Sequence, residues 1–274
     1  MLHPAISYTR ITRVQDTLVT DTEDALAAEE PLEIRLVHGP LYNRQQQSIT
    51  VTMRTPGQDK ELATGFLFTE GIIESVAHIS SVTEEENIAT VTLQESIIPV
   101  LQAAQRNFFA NSGCGVCGKT DITSIYAPVG RLSNNTDIIE CKASLLVQLP
   151  DLLRKQQALF EDTGGIHASA LFNNEGELLI MKEDIGRHNA VDKLVGAALQ
   201  QSLFPLHPYI LLLSGRAGFE LIQKAAMAGI KVIAAVGAPS SMAVKMAHEW
   251  NITLVGFLRG KRFNIYTGEQ RIVF

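Results

Sequence analysis

Residues 209–236 read YILLLSGRAGFELIQKAAMAGIKVIAAV, and this stretch decides the fold. The apolar run Tyr209–Ser214 predicts a buried strand. A Gly215-Arg216-Ala217-Gly218 turn follows, then a helix over Phe219–Met227 that Gly229 closes as its C′ residue. Lys231–Val236 is the next buried strand. Ala238-Pro239-Ser240-Ser241 caps a helix through Trp250, and Ile252–Leu258 is a further strand. Strand–helix–strand–helix–strand with short connections implies right-handed crossovers and a parallel sheet.

Working upstream, Ile166–Phe172 and Glu177–Met181 flank Asn173-Asn174-Glu175-Gly176, a hairpin signal, and a helix runs from about Asn189 to Gln200. In the first half, Glu33–His38 and Ser48–Arg54 read as strands. Ile49, Val51 and Met53 alternate with Thr50 and Thr52, the period of a half-buried sheet. Asp59 opens a helix through Glu70 with Leu62, Phe66 and Leu67 on its inner face. Ile79–Thr83 and Ile88–Leu93 pair across the acidic turn Glu84–Asn87. The expected architecture is α/β: a smaller N-terminal α+β domain over 1–108, a mobile connector over 109–142 and a C-terminal α/β domain over 143–274.

Composition narrows the class. The chain has 274 residues, 46% hydrophobic and 19% charged, as a folded globular protein does. No apolar run approaches the roughly 20 residues of a membrane span, and the N-terminal stretch lacks a basic patch followed by an apolar core. Three cysteines are too few for a disulfide framework and point to a reducing cytoplasm. A net charge of −6 argues against general nucleic-acid binding, so any anionic ligand needs a local site.

Two of the three cysteines sit in Gly113-Cys114-Gly115-Val116-Cys117-Gly118, followed at once by Lys119, which favours the reactive thiolate. The glycines leave the backbone free to bend and the sulfurs unshielded. Four readings compete. A structural zinc site wants four Cys or His ligands, and Cys141 is the single remaining thiol, in a stretch that suits a buried inert cysteine. A thioredoxin-like exchanger wants its CxxC at a helix start, which Gly115 and Gly118 oppose. The pair could also be incidental to a flexible loop. The last reading is sulfur carriage: a thiolate holds sulfane sulfur as a persulfide, and the neighbouring thiol releases it by closing a disulfide.

Other candidates lie in the second half. Arg259, Lys261 and Arg262 gather three positive charges past a strand's C-terminal end, with Gly260 allowing close approach. A solvated basic turn is the alternative. The Gly215–Gly218 loop and Ser240-Ser241 open helices, where anion binding competes with ordinary capping. Asp184, Arg187, His188, Asn189 and Asp192 form the densest polar cluster, read as site-forming structure. His167 reads as a satisfied core histidine. His167 is followed by Ala168 and Ser169, not the H-x-E of zinc deaminases, so neither bound zinc nor deamination is expected.

The cysteine loop resembles that of the formate dehydrogenase accessory sulfurtransferases, the FdhD family. So do Thr64-Gly65-Phe66-Leu67-Phe68-Thr69-Glu70-Gly71-Ile72-Ile73, Thr163-Gly164-Gly165-Ile166-His167 and the run Glu183–Lys193. Leu213-Ser214-Gly215-Arg216 and the closing run Leu254–Tyr266 extend the match. The resemblance implies that Cys114 bears the persulfide and Cys117 is its partner. The sulfur donor would be a cysteine desulfurase. The acceptor would be the molybdenum bis(molybdopterin guanine dinucleotide) that formate dehydrogenase needs in sulfurated form, held as cargo by Phe257, Leu258, Arg259, Gly260, Lys261 and Arg262. A guanine nucleotide such as GDP would mimic it. A cytidine-deaminase-like C-terminal half and a homodimer are also implied.

Overall fold

The computed structural model describes residues 4–101 and 139–274. The first described elements are the hairpin strands β1 (Ile6–Gln15) and β2 (Leu18–Ala27), then β3 (Glu30–His38), β4 (Gln45–Arg54), helix α1 (Asp59–Thr69), β5 (Ile79–Glu85) and β6 (Ile88–Leu93). After the undescribed segment come β7 (Cys141–Lys142), three short helices α2 (Ala143–Leu146), α3 (Leu149–Arg154) and α4 (Ala158–Thr163), and the hairpin β8 (His167–Phe172) and β9 (Leu178–Asp184). The remainder is α5 (Arg187–Gln200), β10 (Ile210–Leu213), α6 (Phe219–Met227), β11 (Val232–Ala235), α7 (Ser241–Glu249), β12 (Thr253–Arg259), β13 (Arg262–Thr267) and β14 (Ile272–Val273).

The decisive stretch folds as its pattern dictates. β10, β11 and β12 lie side by side and parallel, within a six-stranded sheet ordered β13-β12-β11-β10-β8-β9. Alternate residues of its strands feed two apolar layers. Leu211, Leu213, Ile233, Ala235 and Leu254 pack with residues of α5, α6 and α7. Ile210, Leu212, Val232, Ala234 and Val255 pack with Leu146, Leu149 and Leu153 of the short helices. The molecule is therefore a mixed α/β protein with helices on both faces of its main sheet.

The second sheet, β4-β3-β6-β5, is antiparallel except for the central β3–β6 pair. Its β3–β4 register slips between Ile34 and Arg35, which makes Ile49 an extra residue on β4. That bulge changes the expected pattern. Ile49 enters the core, whereas Val51 and Met53 turn to the outer face and are 60% and 47% exposed.

One apolar cluster joins the halves, taking Leu32, Ile34 and Leu62 from the first and Val191, Val195 and Leu221 from the second. The join depends on two glycines where α1 crosses α5. A Cβ on Gly65 would overlap the Asp192 carbonyl oxygen, and one on Gly196 would overlap that of Glu61. Only backbones without side chains fit this close.

A candidate ligand-binding edge at the ends of the parallel strands

The loops leaving β10, β11 and β12 meet at the sheet's C-terminal edge, where open α/β sheets place ligands. Backbone bonds lace them together. The Gly237 N–H donates to the Gly215 carbonyl at 2.9 Å, and the Phe257 N–H to that of Gly237 at 3.0 Å. Ala217 and Pro239 form an isolated parallel bridge. Ser240 caps α7 by accepting the Ala243 N–H at 3.2 Å, so that serine serves as a cap.

The polar cluster of the second half borders this edge. Asp184 is sealed from water and ion-pairs with Lys193 at 2.7 Å. It also accepts from the N–H groups of Thr55 at 3.2 Å and Gly186 at 2.8 Å, and from Asn189 Nδ2 at 3.1 Å. These bonds fix the start of α5 and tie it to the end of β4. His188 Nε2 lies 2.8 Å from Glu220 Oε2, linking the first turns of α5 and α6. Asp192 is used elsewhere: it accepts from Thr69 Oγ1 at 2.7 Å and pairs with Lys224 at 3.0 Å beneath α1.

His167 departs from its expected place in the core. It begins β8 at the same edge and is exposed. A Cβ on Gly215 would lie 3.2 Å from its Nδ1. Partial desolvation by the surrounding loops, followed by the positive charge of Arg187, holds its pKa below the ordinary imidazole value. His188 and Arg216 act in the same direction while Asp184 opposes them. This placement is a product of strand order, which local sequence does not encode: β8 runs antiparallel to β10 and brings its first residue to the other strands' ends. Glu220 was missed for a related reason: its partner lies on a different helix.

The basic bend is a hairpin turn. β13, a strand absent from the sequence-based expectation, returns antiparallel beside β12 with Arg259 opposite Arg262. Gly260 sits at φ +53°, and the ladder slips between Gly256 and Arg259. Phe257, in that irregularity, has φ +53° and is exposed, whereas Leu258 is buried among the apolar side chains under the sheet. Arg259 donates from Nε to the Val236 carbonyl at 3.3 Å; Arg259, Lys261 and Arg262 are all exposed. Four of the six candidate residues therefore face solvent through side chains, Gly260 contributes backbone, and Leu258 anchors the turn from below.

Cys114 and Cys117 lie outside the described residues. Cys141 fits its inert reading: it is buried in β7, and desolvation pushes its thiol up to about 11. Among the described residues no group of three His, Cys, Asp or Glu side chains is placed to hold a metal, and no helix is long and apolar enough to cross a membrane.

Residues 27–273 match the model of the FdhD/NarQ family. The chain is 45% identical over 273 residues to the sulfur carrier protein FdhD of Streptomyces avermitilis, covering 96% of this chain and 94% of that one. It is 43% identical over 254 residues to the sulfur carrier protein FdhD of Picrophilus torridus, covering 91% and 92%. Its structure resembles that of a formate dehydrogenase accessory protein from Desulfotalea psychrophila with a TM-score of 0.76, at 22% identity and over 98% of this chain and 100% of that one. The chain belongs to the FdhD/NarQ family.

Proposed function

We propose that the protein is a persulfide-carrying sulfurtransferase of formate dehydrogenase maturation, working in the cytoplasm. The observation that carries the reading is the coincidence of a Gly-flanked thiol pair, Cys114 and Cys117, with family membership across 27–273. In the first step, the Cys114 thiolate attacks the outer sulfur of a cysteine desulfurase's persulfide, forming Cys114–S–SH and releasing the donor's thiolate. In the second, the Cys117 thiolate attacks the inner sulfur. A Cys114–Cys117 disulfide forms and the outer sulfur leaves as hydrosulfide, reduced by the two electrons that oxidise the thiol pair. A cellular dithiol then restores the pair.

The acceptor in this reading is molybdenum bis(molybdopterin guanine dinucleotide), a substrate with two pyrophosphates. Phe257–Arg262 would receive it: the guanidinium forks and Lys261 suit phosphate oxygens, and exposed Phe257 offers a ring for a guanine base. Gly260 leaves open space, since a Cβ there would meet nothing within 4 Å. GDP would stand in for half of that substrate. The partners are a cysteine desulfurase, formate dehydrogenase and a second copy of the chain, whose C-terminal half is read as cytidine-deaminase-like.

The basic bend also suits a second reading, a non-catalytic chaperone that only holds the cofactor. Serine replacement separates the two in a strain lacking the endogenous protein. Sulfur carriage requires that Cys114→Ser abolish formate dehydrogenase activity while GDP binding persists. Full activity in the Cys114→Ser, Cys117→Ser double variant would favour the chaperone.

A further inference from the structure

His167 is an imidazole that the candidate edge holds in place and leaves unengaged. It opens β8, one residue before a reciprocal clasp to the loop after β10. The Ala168 N–H donates to Ser214 Oγ at 2.8 Å, and the Ser214 N–H donates to the Ala168 carbonyl at 3.0 Å. The ring lies against Gly215, where an added Cβ would come within 3.2 Å of Nδ1 and 3.4 Å of Cε1. A side chain at 215 would push it aside. His167 is exposed, and among the described residues no hydrogen bond engages its ring. His188 differs, because Glu220 holds its Nε2.

The surroundings are cationic. Arg187 opens α5 and Arg216 follows Gly215; among the described residues neither is ion-paired to a carboxylate. A Cβ on Gly218 would lie 3.9 Å from Arg187 Nη2, so that guanidinium reaches across to the start of α6. Asp184 stands opposite His167 in the β8–β9 ladder, but its carboxylate is paired with Lys193. Desolvation, Arg187, His188 and Arg216 together favour the neutral ring in the free protein, against the pull of Asp184. An anion seated by the two guanidiniums would cancel their repulsion and let the ring take up a proton.

His167 and the basic bend share one edge. β8, β10, β11 and β12 are neighbours in the sheet, so three strand spacings, roughly 14 Å, separate the first from the last. A dinucleotide with its base at Phe257 would extend along this edge and bring its far end to His167. At that end, in the reading above, sulfur replaces an oxygen ligand of the molybdenum substrate. Hydrosulfide bonds to the metal through sulfur, the metal–oxygen bond breaks, and the oxygen leaves as water. Water needs two protons and hydrosulfide carries one, so a second must be supplied. No electrons change hands.

We propose that His167 is the general acid of sulfur insertion: its imidazolium gives the second proton to the departing oxygen and regains one from solvent. The proposal rests on the sulfur-carrier reading and adds a catalytic residue to it.

The test supplies sulfur-free molybdenum bis(molybdopterin guanine dinucleotide) to the full chain and follows the activity gained by formate dehydrogenase apoenzyme. Sulfur comes from the desulfurase-loaded chain in one arm and from sodium hydrosulfide in the other. His167→Gln should slow activation about a hundredfold or more in both arms, with Cys114 loading and GDP affinity unchanged. Free imidazole should restore the rate of His167→Gly, and more strongly at about pH 6 than at about pH 8, where less imidazolium is present. A His167→Gln chain within about threefold of wild type overturns the proposal. So does a slow His167→Gly chain that imidazole fails to rescue, since the ring then serves structure alone. An inactive desulfurase arm beside a hydrosulfide arm that keeps its dependence on His167 would sink the carrier reading and support the proposal.

Discussion

Lys193 Nζ lies 2.7 Å from Asp184 Oδ2, with both side chains closed to water and the same ammonium donating to the Thr55 carbonyl at 2.8 Å. This pair holds the end of β4 against the start of α5 and so sets the border of the candidate site. Removing one partner leaves a buried charge uncompensated. Lys193→Met is expected to cost about 3–5 kcal/mol in urea unfolding. A loss below about 1 kcal/mol would mean that water reaches Asp184.

The crossing of α1 and α5 gives a second expectation. Gly65→Ala or Gly196→Ala places a methyl group where a backbone carbonyl lies, so the helices must separate. Overpacking of this kind costs roughly 1–3 kcal/mol. Thermal melting should show each variant destabilised, and the double variant should fall short of additivity because one separation relieves both clashes.

Cys141 should be chemically silent. With its thiol pushed up to about 11, it holds little thiolate at pH 8. Alkylation by iodoacetamide in the native Cys114→Ser, Cys117→Ser protein is expected to run on the order of a hundredfold slower than for a free cysteine of ordinary pKa. The rate should climb as pH approaches 11. Rapid labelling at pH 8 would contradict the burial.

How much of this was legible beforehand follows from which signals are local. Helix α6 matches its expected bounds, Phe219–Met227, because apolar spacing and Gly229, at φ +79°, mark it within the sequence itself. The β5–β6 hairpin likewise announces itself through its acidic turn. β1 and β2 were not expected as strands: they carry Arg, Asp, Glu and Thr on both faces, so no core-facing period appears. The inward turn of Ile49 and outward turn of Val51 depend on a bulge against β3, which the sequence of β4 alone does not encode. At the site, the polar cluster beginning at Asp184 was visible as a run. The approach of His167 to Gly215 and of His188 to Glu220 is created by strand order and helix docking, which are tertiary facts.

The basic bend should govern nucleotide affinity. Arg259→Ala and Lys261→Ala each remove an exposed cation from the turn. If each makes a charge-assisted bond to phosphate worth about 1.5–3 kcal/mol, each should weaken GDP binding by roughly ten- to a hundredfold in calorimetry. Rising salt should narrow the difference from wild type. Unchanged affinity in the double variant would remove the bend from the ligand site.

Intact-mass spectrometry of the purified chain, after incubation with a cysteine desulfurase and free cysteine, tests the central claim most directly. The account predicts one added sulfur atom, mapped by peptide analysis to Cys114, removed by dithiothreitol and missing in Cys114→Ser. A chain that gains no sulfur while the desulfurase itself is loaded, or one that gains it on Cys141, would contradict the account.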